Sequence, residues 1–153
     1  MVEHPATPFP DRMALADMIE RASEPSRLLD CHVWLIVGPL LGSPFRLRGR
    51  APILPSEIVQ GRWLGSALEK YPDDVEGIAD NWRVPEFTRS MDAARTIMAN
   101  IGYVLWRPIG KTPHVSTQTD DGWSDFSSGA NEAMALSAAG MRAGGPVLYE
   151  LAT

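Results

Sequence analysis

The chain has 153 residues, the usual size of one domain. Apolar residues make up 44% and charged residues 22%, which excludes full disorder and collagen-like repeats, and a single cysteine excludes a disulfide scaffold. Fourteen Lys and Arg against nineteen Asp and Glu leave a formal charge of -5, so non-specific nucleic-acid binding is not expected.

Residues 1–10 carry three prolines and read as a flexible arm ahead of a single domain spanning 11–153. The arm lacks the basic start and apolar run of a signal peptide. Asp11 is placed to cap a helix over Met13–Arg21, with Leu15, Met18, Ile19 and Ala22 on one face. Ala22 to Pro25 breaks that helix. Ser23 or Ser26 caps a second one, which the Gly38-Pro39 pair ends at about Val37. The apolar stretch Val33–Leu41 is far short of the ~20 residues that a membrane helix needs. Residues 38–60 hold four prolines and read as an irregular connection, with a short strand at 45–50. Ser56 is a cap for a helical piece reaching Leu68, and 72–87 reads as a loop.

The second half is patterned more clearly. Ser90 caps a helix over Met91–Ala99, with Asp92 in its first turn to suit the helix dipole, and Gly102 stops it. Tyr103–Arg107 and His114–Thr119 read as two strands of a hairpin joined by the turn Pro108–Pro113. Asp120–Asp125 is a further turn. Ser128 is the expected cap of a last helix from Ala130 to about Arg142, whose many Ala, Ser and Gly side chains let it lie close to a sheet. Val147–Leu151 is a candidate third, edge strand.

Few residues point to chemistry. Cys31 adjoins a bulky apolar run and reads as a small buried side chain, not a nucleophile. His4, His32 and His114 have no Cys or His partner at metal-ligand spacing, and no Gly-rich phosphate loop or nucleophile elbow occurs, so neither metal nor cofactor is expected. Ser90 and Asp92 read as cap and dipole partner rather than as a catalytic pair. Asp120, Asp121 and Asp125 read as an acidic turn and do not match a calcium-binding loop. Arg46, Arg48 and Arg50 alternate and would line one face of an extended segment, or else sit in a solvated loop. The segment 103–119 carries Arg107, Lys111 and His114 but no acid, so a ligand site is placed on this hairpin, at Trp106, Arg107, Lys111, His114 and Thr117. Aromatic rings beside cations suit an anion or a nucleotide.

Three segments resemble one family. Pro85-Glu-Phe-Thr-Arg-Ser-Met-Asp-Ala-Ala94 is similar to the P-x-[FY]-T-x-S-[LM]-D-A-A stretch of small phage and prophage proteins that carry the phage ABA sandwich domain. Glu24–Asp30 resembles the family's G-P-S-R-E-L-D helix start, and Ser128–Arg142 its closing small-residue helix. Asn131-Glu132 stands where the family has Thr-Pro, and Ser137 where it often has Cys. The resemblance covers about 22–37 and 83–143. It implies a layered α/β/α fold and a phage origin, with no catalytic residues attached.

The expected fold is α+β, a small antiparallel sheet layered between helices. The expected function is that of a non-enzymatic phage or prophage accessory protein. It would act in the host cytoplasm, away from membranes, by binding a host or phage protein. The alternative is a sponge for a small anionic ligand, such as a nucleotide signal, held by the 103–119 hairpin. The edge of that hairpin also leaves room for a homo-oligomer.

Overall fold

The computed structural model describes residues 9–41, 60–98 and 101–144. The elements in chain order are α1 (Arg12–Arg21), α2 (Arg27–Leu41), α3 (Gln60–Lys70), α4 (Val75–Asn81), α5 (Met91–Ile97), β1 (Tyr103–Trp106), β2 (His114–Thr119), β3 (Gly122–Trp123), β4 (Ser127–Ser128) and α6 (Glu132–Arg142). The class is α+β with a small antiparallel sheet, as the sequence suggests.

Helix α6 is the hub. Each residue from Ala133 to Met141 is buried, because α6 meets α1 and α5 on one side and β2 and β4 on the other. Met134, Leu136 and Met141 fill the core, while the alanines, Ser137 and Gly140 let the neighbouring elements approach closely. A Cβ on Gly140 would stand 2.3 Å from Cγ2 of Ile97, on α5. Leu15 and Ile19 of α1, Val33 and Val37 of α2, and Phe87, Ile97, Met134 and Met141 form one core cluster. A second lies between the sheet and α5 and α6, from Val115, Ala94, Met98, Leu136 and Ala139. A third joins α2 to α3 and α4 through Cys31, Leu64, Leu68, Ile78 and Val84.

Polar ties fix these layers. The Asp30 carboxylate, almost fully buried on α2, accepts from the Thr88 N–H (2.8 Å), the Thr88 hydroxyl (2.7 Å) and the Arg27 guanidinium (2.9 Å). The two upstream motif segments, 24–30 and 85–94, therefore meet at one buried carboxylate. The third joins them, since Asn131 donates to the Thr88 carbonyl at 3.0 Å and Ser137 to that of Phe87 at 2.9 Å. Arg142 pairs with Asp17 and Glu20 of α1, and Glu20 accepts from both the N–H and the hydroxyl of Ser128.

Strand β2 is central. Antiparallel β1 pairs along it with Trp106 opposite His114 and Tyr103 opposite Thr117. On its other side it pairs with β3, Gln118 opposite Trp123, and with β4, His114 opposite Ser128. Among the described residues the helices lie against one face of this sheet, that of Tyr103, Leu105, Val115 and Thr117.

Several boundaries differ from the sequence reading. The segment 72–87 is not all loop: α4 forms within it and buries Ile78 and Ala79. It closes with Arg83 at a φ of 52°, where the N–H groups of Arg83 and Val84 donate to the carbonyls of Asp80 and Ala79. That left-handed closing position usually signals itself as glycine, and here it does not. Helix α2 runs through Gly38 and Pro39 to Leu41, since a proline so near the helix end removes only one backbone bond. The cap of α6 is Asn131, whose side chain accepts from the Met134 N–H at 2.7 Å, and not Ser128, which Glu20 engages within β4. Helix α5 ends at Ile97 and β1 at Trp106. Asp11 and Ser90 cap α1 and α5 as expected, accepting from Ala14 and Ala93. The strand expected at 45–50, the cap Ser56, the residues Arg46, Arg48 and Arg50, and the strand at Val147–Leu151 lie outside the described residues. So do residues 1–8 of the arm; Phe9, at its end, has its ring 5.6 Å from that of His32.

The open face of the sheet as a candidate functional site

Side chains alternate along a strand, so the pairing of Trp106 with His114 assigns every residue of the hairpin to a face. Val104, Trp106, His114, Ser116 and Gln118 share the face turned away from the helices, and pairing adds Trp123 and Ser128 to it. Phe126, two residues before Ser128, reaches the same face. Its ring centroid lies 5.7 Å from that of Trp106 and 5.8 Å from that of His114, while Trp106 and His114 are 6.0 Å apart. The three rings make one tilted cluster. Trp106 is 52% exposed, Phe126 55%, Trp123 56% and Val104 48%.

Beneath the cluster the sheet is tightly held. The Ser116 hydroxyl donates to the Ser124 carbonyl at 2.6 Å, and the Thr117 N–H donates to Ser124 Oγ at 2.9 Å. These bonds hold the 124–126 segment against β2 and so set the position of Phe126.

The five residues expected at a site divide. Trp106 and His114 come together. Arg107 follows Trp106 but reaches toward α6, its Nη1 3.3 Å from Glu132 Oε1, with both groups solvated. Lys111 is exposed in the loop between β1 and β2 and forms no ion pair with a described residue. Thr117 faces the other way, buried on the helix side with its hydroxyl 3.0 Å from that of Ser124. It stands three residues from His114, an odd step, so parity alone separates the two. Phe126 carries no such signal in the sequence, because the strand beside it is only two residues long.

The other chemically interesting groups are accounted for by packing. Cys31 is fully buried, and burial, with Asp30 beside it, pushes its thiol up to about 11 against the pull of Arg27. Such a thiol is a poor nucleophile at neutral pH. His32 is buried with Nδ1 lacking a hydrogen-bond partner, and burial lowers its pKa. Ser90 is spent on its cap and Asp92 lies 3.5 Å from Arg95. Among the described residues, no three His, Cys, Asp or Glu side chains are grouped to hold a metal ion, and no helix is long and apolar enough to cross a membrane.

Comparison with known protein families, curated proteins and solved structures finds no match to this chain.

Proposed function

We propose that the chain is a non-enzymatic binding protein whose recognition surface is the open face of the sheet. The observation that carries this reading is the aromatic cluster of Trp106, His114 and Phe126, with Trp123 and Val104 beside it, on a face that no described helix covers. Half-exposed aromatic rings grouped on a rigid sheet are the usual material of a protein–protein hot spot. The partner is a host or phage protein with an apolar patch. The phage setting and the host cytoplasm rest on the resemblance of residues 22–37 and 83–143 to the phage ABA sandwich proteins. The contact of Asp30 with Thr88, which joins two of those segments, is consistent with it.

The test compares three tagged proteins in host lysate: the unmodified chain, Trp106→Ala with Phe126→Ala, and Tyr71→Ala. Tyr71 is an exposed aromatic away from the sheet. A protein captured by the first and third and lost from the second, then bound by the purified chain in calorimetry, supports the reading. Capture that is indifferent to Trp106 and Phe126 refutes it.

A second reading takes a planar anion, such as a nucleotide, as the ligand. It is favoured by Lys111, a cation without an ion-pair partner among the described residues, in a loop that follows Trp106 and holds no acid. A base would stack on Trp106 and a phosphate would meet Lys111. Native mass spectrometry of gently purified protein, followed by nucleotide titration against tryptophan fluorescence, checks it. An adduct lost in Lys111→Ala supports this reading, and binding unchanged in that variant removes it.

A further inference from the structure

The outer edge of β1 is free among the described residues, since β1 pairs only with β2. The Gln118 N–H donates to the Gly102 carbonyl at 2.7 Å, which makes 102 and 118 a hydrogen-bonded pair in the ladder. Alternation then gives Val104 and Trp106 to β2 and turns the N–H and C=O of Tyr103 and Leu105 outward. The strand Tyr-Val-Leu-Trp carries no charge, proline or bulge, the devices that normally stop such an edge from pairing.

We propose that this edge pairs antiparallel with the same strand of a second copy, across a twofold axis at Val104. One register uses all the outward groups: Tyr103 opposite Leu105 of the second copy, and the reverse. Each pairing exchanges two backbone hydrogen bonds. Val104 then faces its own symmetry mate as a close, non-hydrogen-bonded pair on the open face. Trp106 falls opposite Gly102 of the second copy, where the exposed Gln118 side chain lies over the glycine and must swing aside for the indole. On the helix side Tyr103 and Leu105, half-buried in the single chain, cover each other.

The charges agree with this direction. The loop at one end of the hairpin carries Lys111, with Arg107 beside Glu132 of α6, and the turn at the other end carries Asp120 and Asp121. Antiparallel pairing sets the basic end of each copy beside the acidic end of the other, twice. The two aromatic clusters become parts of one continuous face. The inference does not depend on what that face binds.

Sedimentation of the full chain from micromolar to millimolar concentration tests it, together with Val104→Lys and Val104→Glu. Val104 is half exposed, so either side chain is tolerated in the single chain. The expected result is a concentration-dependent dimer for the unmodified protein and loss of dimer in each variant, where like charges meet at the axis. Equimolar mixing of the two variants restores a mixed dimer. Val104→Cys should also cross-link on mild oxidation, with Trp123→Cys staying single, because Cys31 is fully buried and silent. A chain that remains monomeric throughout overturns the proposal and leaves the edge to a different protein or to residues 145–153. A dimer that both charged variants preserve overturns it as well.

Discussion

Replacing Thr88 by valine isolates the contact that joins the helix α2 motif to the segment before α5. The side chain is fully buried and valine matches its volume, so the change removes a hydroxyl and leaves little cavity. Two ties are lost. The hydroxyl donates to the Asp30 carboxylate at 2.7 Å, a charge-assisted bond of about 1.5–3 kcal/mol. It also accepts from the Ser26 N–H at 3.0 Å, and that part-buried donor is left unpaired at a cost of about 1 kcal/mol. Asp30 keeps the Thr88 N–H and Arg27, so the charge is not stranded. The expected loss is about 3 kcal/mol, a large share of the roughly 5–15 kcal/mol that holds a domain of this size. At an m-value of about 2 kcal/mol/M the urea midpoint falls by about 1.5 M. Equilibrium unfolding followed by fluorescence and circular dichroism measures it. A midpoint shift under about 0.5 M, with the m-value unchanged, would show that the carboxylate does not depend on this hydroxyl.

Three further outcomes follow from the packing and the titrations. Gly140→Ala drives a methyl into Cγ2 of Ile97 and should cost about 1–3 kcal/mol, and that cost should shrink in an Ile97→Ala background, which lacks Cγ2. His32 titrates below its ordinary 6.5 because burial disfavours the imidazolium, so the unfolded chain takes up the proton first. Stability is therefore full above that value and falls as the pH drops below it. His32→Leu should flatten the profile below about pH 6.5, and an unaltered profile would assign the slope elsewhere. Cys31, with its thiol raised to about 11, should resist alkylation in the native protein at neutral pH and react at once in denaturant. Rapid native labelling would contradict its burial.

The sequence marks those elements whose signal is local. Asp11 and Ser90 cap as their positions suggest, and the small-residue run of α6 packs between helices and sheet. Reading fails where a distant group decides. Ser128 has the chemistry of a cap, yet Glu20, 108 residues away, takes both its donors and leaves Asn131 to cap α6. Helix α4 is obscured because Gly77 lowers its propensity and Arg83 occupies the closing position. The candidate site divides the same way. Trp106 and His114 are legible as neighbours in a hairpin. Phe126 joins them because the hydroxyls of Ser116 and Ser124, a backbone bond from Ser124 to Thr117 and the pairing of β4 bring the chain back across β2.

The seam between α1 and α6 has a consequence for how the chain is made. Asp17 and Arg142, which pair across it, are 125 residues apart. At translation rates of about 5–20 residues per second, the partner of α1 emerges roughly 6–25 s after α1 itself. Throughout that interval Leu15 and Ile19 have no α6 to cover them, and the first core cluster stays open on the nascent chain. The first core cluster accordingly closes only once α6 has emerged. Until then the buried stripe of the amphipathic first helix, Leu15, Ala16 and Ile19, stays open to water.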